Sequence, residues 1–300
     1  MPARVLAVFG PTAVGKTDVA IALAERIRAR GGHPVAVSAD ALQVYAGLQI
    51  LTGVPDHAQR ERLEHRLISF LPIDARFSAG EYAELAHAEI DGLLAEGATP
   101  IVVGGTGLYL RAALAELALL PPPAAGVRER LQAELLERGP EALHARLARD
   151  APSAAQRIEP RDRQRVVRAL ELADQGVLDP ERGPSQLWTR ETRHPTRLIG
   201  LVRDRAELYA RIDERVERMI AAGAAAEVRA ADAAGASQTA RVALGFDELR
   251  SGDVEAMKRR TRNYARRQLT WMRKLPAVEI IDIAGRTPEE VAAAIDSAPA

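Results

Sequence analysis

The residues best suited to chemistry begin with a complete phosphate loop. Gly10-Pro11-Thr12-Ala13-Val14-Gly15-Lys16-Thr17 spells G-x-x-x-x-G-K-[ST]. Its two glycines let the backbone turn so that successive N–H groups converge on phosphate oxygens at the positive end of the following helix. Lys16 adds a cation, and the Thr17 hydroxyl is positioned to meet a Mg²⁺ ion. Such a loop reports a polyphosphate ligand and leaves the reaction open. Two further groups follow apolar runs. Asp40 comes just after Pro34–Ser38, and Thr106 comes after Ile101-Val102-Val103-Gly104-Gly105. Asp40 has two readings, a helix N-cap or a general base or metal-shell carboxylate, and position alone does not choose between them. His57 and His65 have no third ligand at metal spacing and read as solvated or hydrogen-bonded histidines.

The elements that must hold these groups are legible from periodicity. Val5–Phe9 reads as a strand and Asp18–Arg30 as a helix, so strand, loop and helix come in the order the motif needs. Pro34–Ser38, Pro100–Val103, Thr196–Val202 and Glu279–Ile283 read as further strands. In an open parallel sheet ligands sit at the carboxyl ends of strands, so the loop, Asp40 and Thr106 are expected in one crevice. Ser78 and Glu81 form a capping box for a helix to Ala95, and Thr287 with Glu290 forms another near the C-terminus. Between Gly47 and Pro72 the chain reads as loop. Val127–Asp150 and Ile158–Gln175 read as helices of an insertion, with a mobile loop over Asp179–Gln186 and a long charged helix over Arg203–Ala234. The expected fold class is α/β: a phosphate-loop parallel sheet (residues 1–112), a helical insertion (113–196), and completion of the core with basic helices (197–300).

Composition bounds the partners. The 300 residues are 47% apolar, with 41 basic and 41 acidic side chains and no Cys, which removes disulfides, thiol nucleophiles and Cys-zinc sites together. With no charged leader and no apolar run of membrane-spanning length, the expectation is a cytoplasmic protein without a membrane partner, acting as a monomer. The neutral total hides an uneven distribution. Lys258, Arg259, Arg260, Arg262, Arg266, Arg267, Arg273 and Lys274 occur with no Asp or Glu among them. On a helix, Arg259, Arg262, Arg266 and Arg273 share one arc, with Ala265, Leu269 and Met272 opposite and Tyr264, Gln268 and Trp271 flanking. Unneutralised cations at that density repel, so the helix is expected to meet a polyanion such as nucleic acid.

Taken together these segments resemble the tRNA dimethylallyltransferases, also called tRNA isopentenyltransferases. The matching stretches are residues 10–17, Ser38-Ala39-Asp40 with Gln43-Val44-Tyr45, Val103–Tyr109, Asp162–Arg165 with Arg168–Glu171, and Thr261–Trp271, in order along the chain. The resemblance implies transfer of a dimethylallyl group from dimethylallyl diphosphate to the exocyclic amine of the adenosine 3′ of the anticodon, with diphosphate released and Mg²⁺ as cofactor. It implies that Lys16 and the loop hold the leaving diphosphate, that Asp40 accepts a proton from or orients the amine, and that Thr106 lies near the reacting centre. It also implies contact with the tRNA anticodon stem-loop by Asp40, Ala41, Leu42 and Gln43, by Thr106, Arg128, Gln164, Arg165, Val166, Val167 and Arg168, by Arg241, Gly245 and Phe246, and by Arg266, Arg267, Gln268, Thr270, Trp271 and Arg273. The chain departs from the family pattern at Val14 and Ala41, each in place of Ser, and at Val54 and Asp247, each in place of Lys. A kinase using the same loop and a non-catalytic RNA-binding switch are the competing readings. The first leaves the basic helix unexplained and finds no Walker-B carboxylate after Val103. The second leaves the converging strand ends unexplained.

Overall fold

A computed structural model describes residues 5–120, 122–124, 126–177 and 186–297. It divides into two compact units, Met1–Leu119 with Gln186–Ala300, and Leu120–Ser185. The helical unit is therefore shorter at both ends than the expected 113–196, because residues on each side of it pack with the sheet. The loop expected over Asp179–Gln186 falls almost wholly outside the described residues.

The larger unit is built on six parallel strands: β1 (Val5–Phe9), β2 (Pro34–Ser38), β3 (His65–Arg66), β4 (Thr99–Gly104), β5 (Thr196–Val202) and β6 (Glu279–Asp282), in the order β3-β2-β4-β1-β5-β6. β1 is flanked on both sides, with Phe9 in register with Gly104 and Gly200. Strands covered on both faces read as continuous apolar runs, and every residue of β2 is buried. In chain order the helices are α1 (Lys16–Ala29), α2 (Gln49–Thr52), α3 (His57–Arg62), α4 (Ala79–Ala95) and α5 (Gly107–Leu114), then α6 (Val127–Asp150), α7 (Pro152–Ala155) and α8 (Arg163–Asp174) of the helical unit. They continue with α9 (Arg205–Ala221), α10 (Ala224–Ala233), α11 (Gln238–Arg241), α12 (Phe246–Ser251), α13 (Val254–Met272) and α14 (Pro288–Ser297).

One face of the sheet packs Ala7, Phe9, Val37 and Val102 against Tyr82, Ile90, Tyr109 and Leu110 of α4 and α5. The other packs Val8, Ile101, Ile199 and Leu201 against Val19 and Leu23 of α1, Ile212 of α9 and Ile295 of α14. In the helical unit Leu131, Leu143, Leu147, Val166 and Leu170 make a separate core.

Several boundaries differ from the sequence reading. The stretch read as loop between Gly47 and Pro72 contains α2, α3 and β3. α3 is opened by a capping box in which the Gln59 amide donates to Asp56 at 2.9 Å and the Gln59 side chain accepts from the Asp56 amide. Too short for periodicity, the helix left only that cap as a signal. Arg203–Ala234 is two helices, because Gly223 at φ 99° ends one and opens the next. α8 begins at Arg163, where the Asp162 carboxylate caps the Arg165 amide at 3.1 Å, and not at Ile158. Both expected capping boxes, Ser78 with Glu81 and Thr287 with Glu290, are formed.

Candidate active site and nucleic-acid interface

The phosphate loop leaves β1 at Phe9 and enters α1 at Lys16, whose first amides have no partner inside the helix. Lys16 Nζ donates to the Gly10 and Pro11 carbonyls at 2.9 and 3.0 Å. Burial, and then the neighbouring Arg215, lower its pKa to about 8, while the Asp40 carboxylate opposes the shift. Lys16, Arg215 and Asp40 thus share one field, although the sequence separates them widely. Val14, a departure from the family pattern, is fully buried, and its amide donates to Pro11 at 3.3 Å. Thr17 sits at the first turn of α1, half-buried.

Asp40 stands at the end of β2, where no helix begins, so the N-cap reading falls. One carboxylate oxygen accepts the Leu42 amide at 2.9 Å and closes a tight turn. That bond fixes the carboxyl group and leaves its second oxygen for a ligand. Tyr82 packs against Tyr109 with ring centroids 4.6 Å apart. Burial, with the Asp40 charge adding to it, pushes both phenols up and keeps them protonated.

Thr106 occupies the N-cap position of α5, yet its hydroxyl makes no cap bond and lies 3.2 Å from the Tyr264 hydroxyl on α13. The glycines around it admit that helix. A Cβ at Gly105 would collide with the Gln268 amide, and one at Gly107 with the Trp271 ring. Gln268 is the joint of the site. Its oxygen accepts the Thr12 amide at 2.9 Å and its nitrogen donates to the Gly105 carbonyl at 2.8 Å, which also fixes the orientation of the amide. One buried side chain of α13 therefore holds the phosphate loop to the β4 turn.

Sequence reasoning missed three arginines on the other side of the loop. Arg203 Nε donates to the Val14 carbonyl and Arg211 Nε to the Ala13 carbonyl, each at 3.0 Å. With Gly15, Asp18 and Arg286 they line a cleft of about 220 Å³. Arg215 reaches Lys16 and Asp40 electrostatically, and its guanidinium packs so closely on Gly53 that a Cβ there would clash. The only signal in the sequence was the spacing of Arg211 and Arg215 by one helical turn, which reads equally well as a solvated face.

The basic helix is less uniformly bare than its composition suggests. Lys258 pairs with Glu217 and Glu255 at 2.9 and 3.1 Å, Arg260 with Glu248 at 2.7 Å, and Arg262 with Asp213 at 3.0 Å. The anions come from other elements and from the first turn of α13, outside the segment counted. Arg259, Arg266, Arg267, Arg273 and Lys274 are exposed, and among the described residues none of them pairs with a carboxylate. They fall in two rows at a spacing of seven, 259-266-273 and 267-274, which keeps them on one face. Arg267 lies over the Tyr264 ring at 5.5 Å, and Trp271 packs on Trp188 at 4.6 Å with Lys274 beyond. Arg266 bonds Asn263, and the Thr270 hydroxyl donates back to the Arg266 carbonyl at 3.0 Å.

Other residues expected at the tRNA surface are turned inward. Val166, Val167, Phe246 and Gln268 are buried, so their side chains hold cores and loops together. Gln43 bonds Ser38 Oγ and the Gly53 carbonyl, at 2.9 and 3.0 Å. Arg241 pairs with Asp232 at 2.5 Å, donates to the Ala236 carbonyl at 2.9 Å, and covers the Phe246 ring. Gly245 caps α12, its amide bonded to Glu248 at 3.1 Å. In the helical unit Arg128 binds both oxygens of the buried Glu171 at 2.6 and 2.9 Å, and Arg168 joins them at 3.0 Å. Those charges build the unit. Gln164 and Arg165 are exposed beside Arg161 and Arg163, while Ala41 and Leu42 are half-exposed next to Asp40.

A family model described as IPP transferase matches residues 43–275. The chain belongs to that family. The tRNA dimethylallyltransferase of Thermobifida fusca (strain YX) is 42% identical over 287 residues, covering 91% of this chain and 88% of the relative. That of Anaeromyxobacter dehalogenans (strain 2CP-C) is 43% identical over 285 residues, covering 90% and 92%. The crystal structure of the full-length tRNA isopentenylpyrophosphate transferase from Bacillus halodurans superposes with a TM-score of 0.68 at 30% identity, over 98% of this chain and 95% of that one. Among the described residues no helix is long and apolar enough to cross a membrane, and no cluster of three or more His, Cys, Asp or Glu is arranged to hold a metal ion.

Proposed function

We infer that this IPP transferase family member transfers a dimethylallyl group from dimethylallyl diphosphate to the N6 amine of the adenosine 3′-adjacent to the anticodon of tRNA. The observation that carries this is the double role of α13. Gln268 and Tyr264 on one side build the phosphate-loop site, while Arg266, Arg267 and Arg273 on the other stand exposed in rows suited to a nucleic-acid backbone. A kinase has no use for such a helix.

In this reading the loop amides left free by Gln268 and Pro11, with Lys16 and Arg215, receive the diphosphate and stabilise the negative charge that builds as the allylic C–O bond breaks. The adenine N6 forms the new C–N bond and gives up a proton to the free oxygen of Asp40, and the electron pair of the broken bond leaves with the diphosphate. Thr106 donates its hydroxyl proton as a hydrogen bond to that departing group. An anticodon-loop base is stacked until it is extruded, and a cationic grip on the flanking backbone offsets the cost of unstacking it.

Mg²⁺ is the proposed cofactor. It keeps most of its waters and leans on substrate phosphates, so the Thr17 hydroxyl with the diphosphate oxygens fits it better than a protein cage would. Bound there, it would supply further charge neutralisation to the leaving group. The same reading takes the protein as a cytoplasmic monomer, and gel filtration checks the latter.

Incubation of the protein with labelled dimethylallyl diphosphate and tRNA, in parallel with labelled ATP and tRNA, tests the reaction. Label in tRNA from the first donor is expected. Transfer from ATP alone would make it a kinase, and transfer from neither would favour a binding protein.

A further inference from the structure

Tyr264 takes no step in the reaction just described, yet its hydroxyl lies against Thr106 in the centre of the site. Burial, first, and then the nearby Asp40 charge push its pKa up to about 12, so the phenol keeps its proton at neutral pH. The direction of its hydrogen bond to Thr106 follows from the proton count. Thr106 has one hydroxyl proton, and once that is donated in a hydrogen bond to the departing diphosphate its Oγ1 can only accept. The protonated phenol of Tyr264, 3.2 Å away, is then the donor. A hydroxyl that accepts on one side donates better on the other, because hydrogen bonds in a chain polarise one another.

We propose that Tyr264 is the positioning residue of Thr106. It sets the Thr106 rotor so that the threonine proton faces the diphosphate. The proposal rests on the diphosphate site of the preceding section. No proton leaves either hydroxyl, and the bond that breaks remains the allylic C–O bond. Because Tyr264 and Gln268 lie on the helix whose outer face carries the exposed arginines, the same side chains tie the RNA face to the donor site. Without Tyr264, Thr106 is free to turn its oxygen to the first amides of α5 and its proton to solvent.

The test is a double-mutant cycle on the full chain with Tyr264→Phe and Thr106→Val, read in two ways: Kd for inorganic diphosphate, and single-turnover rate with dimethylallyl diphosphate and tRNA. Tyr264→Phe keeps the ring under Arg267 and removes only the hydroxyl. With Thr106 present it is expected to weaken diphosphate binding about threefold and slow turnover about fivefold, the size of one neutral hydrogen bond. Kd for tRNA and the melting temperature should stay put. In the Thr106→Val background both effects should vanish. Equal losses in the two backgrounds would overturn the proposal, as would a loss confined to tRNA affinity. Because the diphosphate arm needs no turnover, a coupled pair in a protein that transfers no prenyl group would sustain the positioning role and refute the assigned reaction. Transfer with uncoupled variants would do the reverse.

Discussion

Lys16 gives the most quantitative prediction. Its pKa of about 8, set by burial and by Arg215, lies well below the ordinary 10.5. A bound diphosphate places several negative charges against the ammonium and raises that pKa again, so ligand and proton bind together. Below pH 8 the lysine already carries its proton and affinity is independent of this group. Above pH 8 each binding event must first recruit a proton. A group of pKa 8 is ~90% protonated at pH 7 and ~10% at pH 9, so affinity for inorganic diphosphate should fall about tenfold across that interval. Diphosphate itself also titrates there, in the opposite sense. Lys16→Arg separates the two, because guanidinium stays charged throughout and reports the ligand alone. The measurement is calorimetric Kd at half-unit steps from pH 6.5 to 9.5 for both proteins, and the difference between the curves is the lysine. Parallel curves between pH 7 and 9 would refute the argument and mean that the ammonium is not withdrawn from water.

Three further outcomes are expected. Asp40→Asn should cut turnover by two orders of magnitude or more while keeping tRNA Kd within about threefold, since the lost charge is worth under ~1 kcal/mol of binding; a large loss of binding with normal turnover would contradict the base role. Arg266→Ala and Arg273→Ala should each weaken tRNA binding and lower the slope of log K against log salt by about 1, whereas Arg262→Ala, whose partner is Asp213, should leave the slope alone. Glu171→Gln should destabilise the helical unit by ~3 kcal/mol, because it leaves the Arg128 and Arg168 guanidiniums without their buried anion, and thermal unfolding with a probe in that unit would register it.

Much of the framework was legible because it is local. β1, the phosphate loop and α1 follow one another within the first thirty residues, and because ligands gather at the carboxyl ends of parallel strands, strand order alone predicts Asp40 and Thr106 at the loop. The capping boxes at Ser78 and Thr287 are four-residue patterns, and each formed as written. What stayed hidden is what joins distant segments. Gln268 meets Thr12 across 256 positions, and Arg211 meets Ala13 across 198. A hydrogen bond of that span leaves no periodicity and no spacing to read, so Gln268 read as a flanking residue of a helix and the arginines of α9 as ordinary surface.

The basic helix shows the same limit in electrostatic form. Every charge along Lys258–Lys274 is positive, and read as sequence alone all eight ask for a polyanion. A charge, however, is neutralised by whatever lies near it in space. Asp213 and Glu217 on α9 and Glu248 on α12 lie beside the helix and satisfy Arg262, Lys258 and Arg260. Five cations remain on the outward face. Five exposed charges still suffice for a nucleic-acid backbone, since each neutralised phosphate adds close to one unit of salt dependence. The proposed footprint is therefore narrower than eight: the paired cations fasten α13 to α9 and α12, and the unpaired ones stay exposed. That division puts the docking of Gln268 and Tyr264 on the phosphate loop and the β4 turn and the outward-facing charges on one element, so in the proposed function a tRNA held by Arg266 or Arg273 would bear on the helix that shapes the diphosphate site.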